Sequence, residues 1–179
     1  MKNTQVSNAA VVKATGKDWA HWFGLIDSHD GKNKDHKGIV SVLSQHTNLD
    51  GWWQQMMTVE YEIARGLRKV HETPDGFQIG KSKTLIAPVN AVYPLWAEND
   101  KRGKWLDDPG FTIRKATENK SMRITWVDGT SHLDVYFYPK GEKTQMTINH
   151  KKLSDSESAE KMKSYWGKQL KQLAGVLAN

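Results

Sequence analysis

The sequence predicts an α+β chain, with a three-helix segment followed by an antiparallel sheet of about five strands packed on one long C-terminal helix. Three observations carry this. Apolar residues recur with a helical period between 15 and 70, then alternate from 77 onward. Between the two patterns lies a polar stretch, His71 to Gly76, with Pro74-Asp75-Gly76 as a turn signal. Near the end, Met162, Trp166, Leu170, Leu173 and Leu177 form one apolar helical stripe. The expected organisation is a flexible N-terminus (1–14), a helical domain (15–70), a linker (71–76) and a sheet-and-helix domain (77–179).

In the first helix Thr15 with Asp18 gives a capping-box pattern, and Trp19, Trp22, Phe23 and Ile26 share a stripe. A polar break at Gly31 to Lys34 follows. Asp35 caps a second helix carrying Ile39, Val42, Leu43 and His46, and Asp50 caps a third. That third helix has two adjacent stripes, Trp52, Met56, Val59, Ile63 and Trp53, Met57, Tyr61, Ala64, so it is expected to make contacts on more than one side.

Strands are expected at Phe77–Ala87, Phe111–Thr117, Ser121–Val127, Ser131–Tyr138 and Lys143–Leu153. Asp128-Gly129 and Lys140-Gly141 supply turns. After the first strand, Ala87-Pro88 leads into a short helix with Val89, Val92, Leu95 and Trp96 on one side. Pro88 suits its first position, where no N–H is needed. Trp105-Leu106 closes a polar turn. Ser154 with Glu157 caps the last helix, with Asp155 assisting and Leu153 placed as a hydrophobic staple.

A length of 179 residues holds one ordinary domain, or a small domain with a helical extension. Eight Trp supply much of the buriable area. No apolar run is long enough to span a bilayer, and the start lacks a signal-peptide core. With no Cys there is no disulfide framework and no thiolate chemistry, and a cytoplasmic location is expected. Residues 1–75 are neutral, with nine basic and nine acidic residues; residues 76–179 carry seventeen basic and eleven acidic ones. The excess is mostly Lys spread over strands and a helix face, which reads as solvated surface.

The order strand, Ala87-Pro88, helix with Trp96, Trp105-Leu106 and closing helix resembles the START-like helix-grip (SRPBCC) superfamily over about 77–177. It is most similar to the branch homologous to the activator of heat-shock-protein-90 ATPase. The resemblance implies a curved antiparallel sheet wrapped around the C-terminal helix, often enclosing an apolar cavity. Five expected strands against the usual six or seven imply a shortened domain and a shallower cup. The N-terminal residues Ala14-Thr15-Gly16-Lys17, Trp19, Trp22-Phe23, His36-Lys37, Gly51-Trp52-Trp53, Gln55-Met56, Thr58 to Glu62 and Arg65 to Arg68 resemble a different, uncharacterised bacterial domain. That domain is often joined to helix-grip domains and transfers no function.

Alternation puts Met122, Ile124 and Trp126, then Leu133, Val135 and Phe137, then Met146 and Ile148 on the helix-facing side, with His150 in phase. Trp105, Trp126, Phe137, His150 and Trp166 are therefore the candidate ligand-binding residues. His150 either meets a ligand or acts as an acid or base near neutral pH, unless it is a rim residue bonded to backbone. Arg123, Thr125, His132, Asp134, Tyr136 and Tyr138 fall on the outer face. His132 and Asp134 look like a base and its orienter, but no nucleophile is placed to use them, so a solvated face is expected. On the third helix Glu62 and Arg65 have pairing distance, and Glu60 borders the apolar stripes, where it is expected to bond a Trp indole or a Lys of the neighbouring domain, the alternative being a catalytic acid.

His29, Asp30, Asp35 and His36 read as loop polarity and a cap, and no zinc spacing, phosphate-binding Gly loop or GxSxG elbow occurs. Neither a metal nor a cofactor is expected. Nucleic acid is not the expected partner, because a helix-turn-helix reading of helices two and three offers only Gln54 and Gln55 to bases. The favoured function is a non-enzymatic module holding a small apolar ligand. The alternatives are a protein-interaction or co-chaperone-like module using Trp52 and Trp53, and a cyclase- or hydrolase-type enzyme using the cup.

Overall fold

Side-chain caps begin the helices of an N-terminal unit that ends at Val70. The computed structural model describes residues 6–108 and 110–178. Helix α1 (Asn8–Thr15) starts where the Ser7 hydroxyl accepts from the Ala10 N–H, and ends at Gly16 with φ 76°, which a residue without Cβ adopts freely. This corrects the expected flexible N-terminus for residues 8–14, since Val11 is fully buried in the unit's core; residues 1–5 lie outside the described residues. Asp18, rather than Thr15, caps α2 (Trp19–Ser28). The Thr15 hydroxyl instead donates to the Val11 carbonyl and accepts from the Trp22 indole at 3.0 Å. Asp35 and Asp50 cap α3 (His36–His46) and α4 (Gly51–Ala64), as the sequence predicts.

Trp19, Phe23, Ile26, Ile39, Leu43, Met57 and Tyr61 pack as the core of this unit. Gly31 is required in the 3-10 turn after α2, because a Cβ there would collide with Ile26. The expected Glu62–Arg65 pair does not form. Arg65 reaches Asp27 on α2 with two nitrogens and lies over the Phe23 and Tyr61 rings, 5.6 and 5.2 Å from their centroids. A bidentate, ring-stacked pair outcompetes a single surface contact. Glu62 instead bonds His36 and Arg68, both at 3.0 Å.

The C-terminal unit, from His71, is a six-stranded antiparallel sheet in the order β1-β2-β6-β5-β4-β3. The strands are β1 (Glu72–Thr73), β2 (Gly76–Leu85), β3 (Thr112–Thr117), β4 (Ser121–Thr125), β5 (His132–Lys140) and β6 (Lys143–Leu153). The sixth strand, β1, falls in the expected linker: Glu72 pairs Phe77 and Thr73 pairs Gly76, so the turn signal there makes a hairpin. Two residues are too few to show alternation. The single helix expected after β2 is three turns, α5 (Val89–Val92), α6 (Pro94–Ala97) and α7 (Asn99–Arg102). Pro94 interrupts it by lacking an N–H, and Pro88 stands one place earlier than expected, as the cap before α5. Helix α8 (Ser156–Val176) is capped by Asp155, which accepts from the Ser158 N–H. Ser154 supports it by donating to the Asp155 carboxylate.

The inward phase of the sheet is the one predicted. Met122, Ile124, Leu133, Val135, Met146, Ile148 and His150 are fully buried, and Trp126 and Phe137 nearly so. Trp166, Leu170 and Leu173 of α8 close over them in one core.

Candidate binding site

The five predicted site residues meet in one cluster. Its hub is Trp96, whose ring centroid lies 4.8 Å from Trp105, 6.4 Å from Phe137 and 5.9 Å from Trp166. Trp126 in turn lies 5.1 Å from Trp166 and 5.7 Å from the His150 ring. These spacings are those of aromatic rings in direct contact. Each ring is buried by the others, so the part of the cup they occupy is packed solid. The Trp105 indole donates to the Leu95 carbonyl at 2.7 Å, tying the turn after α7 to α6. Beside them Arg102 is buried, its guanidinium 4.1 Å from the Phe111 ring centroid.

His150 sits within a four-residue chain. The Trp166 indole, which can only donate, gives its N–H to His150 Nδ1 at 3.1 Å. The proton of a neutral imidazole must then sit on Nε2, which faces the Ser131 oxygen at 2.8 Å. The Ser131 hydroxyl donates onward to Asp128 at 2.5 Å. Asp128 also accepts the Thr130 and Ser131 N–H groups in the β4–β5 turn, and these bonds hold its carboxyl below the usual range despite the opposing cost of burial. Burial pushes His150 down to about 4. A protonated ring would confront the Trp166 N–H with a second donor. Ser131 was absent from the sequence-based site although it opens the expected strand in phase with Leu133 and Val135, because a hydroxyl at a strand end carries no apolar signal; in the structure it directly precedes β5 and is buried.

On the outer face Asp134 is not the orienter of His132. It lies buried between Arg123 on β4 and Lys151 on β6, at 2.5 and 2.6 Å. Arg123 also lies over the Tyr136 ring, 5.1 Å from its centroid. This face is an ion-paired clamp across three strands, more ordered than the solvated surface expected.

An open cleft of about 640 Å³ lies between β2 and α8. Its lining includes Lys81 and Lys83 from β2, and Lys163, Gly167, Leu170 and Lys171 from α8. Lys81 and Lys83 pair in register with Ile148 and Met146, so both stand on the helix-facing side of the sheet. They occupy inward positions between the buried Ile79 and Leu85. Opposite them, α8 presents Gly167, whose missing Cβ would lie 3.7 Å from Lys81 Cε. The sequence carried a signal for this: the alternation Phe77, Ile79 and Leu85 is broken at 81 and 83.

A six-stranded antiparallel sheet closed by a long C-terminal helix, with a cleft at their junction, defines a helix-grip protein. Residues 96–178 match the family model described as Activator of Hsp90 ATPase homolog 1-like protein, and the C-terminal unit has an AHSA1-like helix-grip fold. Solved structures of the same fold include a Chromobacterium violaceum protein, 18% identical, aligned over 57% of this chain and 98% of its own with a TM-score of 0.50. CalU16 from Micromonospora echinospora is 17% identical over 59% of this chain and 69% of its own, with a TM-score of 0.51. A Mesorhizobium loti protein is 12% identical over 56% and 96%, also at 0.51. At these identities the likeness is one of fold. No curated protein matches the chain. Among the described residues no helix is long and apolar enough to cross a membrane.

Proposed function

We propose that the chain is a non-enzymatic binding module whose C-terminal unit holds a small ligand with an apolar body in the cleft between β2 and α8. The observation that carries this reading is the cleft itself. The inward face of the sheet is filled by rings around Trp96, but it is open beside Gly167, where Leu170 and the lysine stems offer apolar surface. Its volume falls within the range of about 300–1,000 Å³ usual for ligand pockets. In this reading Trp105, Trp126, Phe137, His150 and Trp166 form the packed wall that holds α8 in place beside the cleft. His150 argues against acid–base catalysis: Nδ1 accepts from an indole and the Nε2 proton points at Ser131, so the imidazole cannot take the serine proton.

Native mass spectrometry of gently purified protein tests the proposal. A reproducible added mass that leaves on denaturation, and that is missing from a Gly167→Leu variant with unchanged Tm, supports it. An added mass retained by that variant refutes the location.

A second reading is favoured by one observation. Trp52 is 59% exposed, with the Trp53 ring edge-on against it at 4.8 Å. An exposed tryptophan of this kind suits a protein partner. Trp52→Ser would then release a co-purifying protein that Lys115→Ala retains.

A further inference from the structure

We infer that the same cleft is an anion site, taking a small molecule with two or more phosphate or carboxylate groups through Lys81, Lys83 and Lys171. This rests on the reading of the cleft as the binding site, and adds the chemistry it selects. Some lysines of this unit find acids: Lys151 has Asp134 at 2.6 Å, Lys161 has Glu157 at 2.7 Å, and Lys168, which also lines the cleft, has Asp107 at 2.7 Å. Among the described residues Lys81, Lys83 and Lys171 form no ion pair, although they share one cleft. The single acid lining the cleft, Glu160, already bonds His71 at 2.7 Å and lies 3.6 Å from Lys163.

Position strengthens the case. Lysine on a solvated outer face needs no explanation, but Lys81 and Lys83 stand on the inward side, opposite Ile148 and Met146. A recess in which one sign of charge predominates, beside low-dielectric protein, concentrates counter-ions. Gly167 keeps the recess open. A glycine inside a helix costs about 0.5–1 kcal/mol relative to alanine, and an alanine Cβ here would meet Lys81 only at ordinary contact distance. A larger side chain would displace the amine and fill the space, which makes position 167 a way to block the cleft without touching its charge.

The test is isothermal titration of the full chain with pyrophosphate and with citrate, alongside neutral Nile red as an uncharged apolar probe. Saturable binding of an anion is expected, weakened at least tenfold in the Lys81→Ala/Lys83→Ala double variant and in Gly167→Leu, each with unchanged Tm. Lys115→Ala, on the far edge strand, should leave it unaltered. Binding of pyrophosphate alone assigns phosphate, of citrate alone carboxylate, and of both their shared chemistry. The inference is overturned if neither anion saturates, if the double variant binds as well as the parent, or if Lys115→Ala weakens binding equally, which would mean diffuse attraction. Should Nile red bind and be lost in Gly167→Leu while neither anion binds, the cleft survives as the ligand site and the anion inference alone falls. If all three probes fail to bind, both fall.

Discussion

Two adjacent residues of α8 face opposite worlds. Trp166 is fully buried, stacked on Trp96 and bonded to His150, while Gly167 lines an open cleft. On the first side every polar atom of the Asp128–Ser131–His150–Trp166 chain is spent on its neighbour. On the second side the amines of Lys81 and Lys83 have no ion-pair partner among the described residues. Buried polar groups need partners within the protein, because water cannot replace them. A cleft can leave its charges for something that arrives later. The contrast separates what holds this unit together from what it offers to a ligand.

The comparison breaks most readily on the Trp166 side. Trp166→Ala should cost about 3–5 kcal/mol, the usual range for a buried aromatic truncation, and a thermal or urea melt will show it. A loss under about 1 kcal/mol would mean the ring is not packed as described.

Acid should act on the same side. The folded-state value for His150, about 4, lies below its ordinary 6.5, so the unfolded chain takes up the proton first. The stability this group contributes is therefore whole above about pH 6.5 and is lost as the pH falls toward 4. The expected loss is about 3 kcal/mol over that window, from the size of the shift. Urea melts at pH 7, 5.5 and 4 measure it. In His150→Gln, whose amide can accept from Trp166 and donate to Ser131, this component of the pH dependence should vanish. A parent slope retained in that variant would assign the acid sensitivity elsewhere.

Smaller effects sharpen the distinction. Asp155→Ala removes the cap of α8 and should cost about 1 kcal/mol, leaving cleft binding intact once folded. Gly167→Ala should stabilise the helix by about 0.5–1 kcal/mol, with Tm rising and ligand affinity little changed. Smallest of all, Lys81→Ala should alter stability by no more than about 0.5 kcal/mol. A large destabilisation there would make the lysine a structural residue and remove it from the site.

Much of the packed interior was legible in the chain, and the cleft beside it was not. Period-two alternation identified Met122, Ile124, Leu133, Val135, Phe137, Met146, Ile148 and His150 as inward, and all are buried. The helical stripe on α8 identified Trp166 and Leu170. Trp96 was placed on the same apolar face as Leu95, yet nothing local marked it as the hub of the rings. The caps at Asp35 and Asp50 were readable as they stand, Asp155 lies beside the expected Ser154, and Asp18 lies three residues after the expected Thr15. The two-residue strand β1 and the division of one helix into α5, α6 and α7 were not, because so few residues cannot show a period. The pairing of Glu62 with Arg65 failed for a different reason. Spacing along a helix shows which groups can meet, but a carboxylate on another helix decided which did.

By itself, then, the sequence determined the order of the long elements, the caps at Asp35 and Asp50, and which side of each long strand turns inward. These depend on residues a few positions apart, whose geometry the local backbone already sets. The tertiary structure alone decided the partnerships. Ser131 reaches His150 across nineteen positions and Asp27 reaches Arg65 across thirty-eight. Lys81 lies against Gly167 only because the C-terminal helix crosses β2 at that point. Strand register and helix crossing are properties of the closed fold, so no local pattern encodes them, and they turn a broken alternation on β2 into one wall of a cleft.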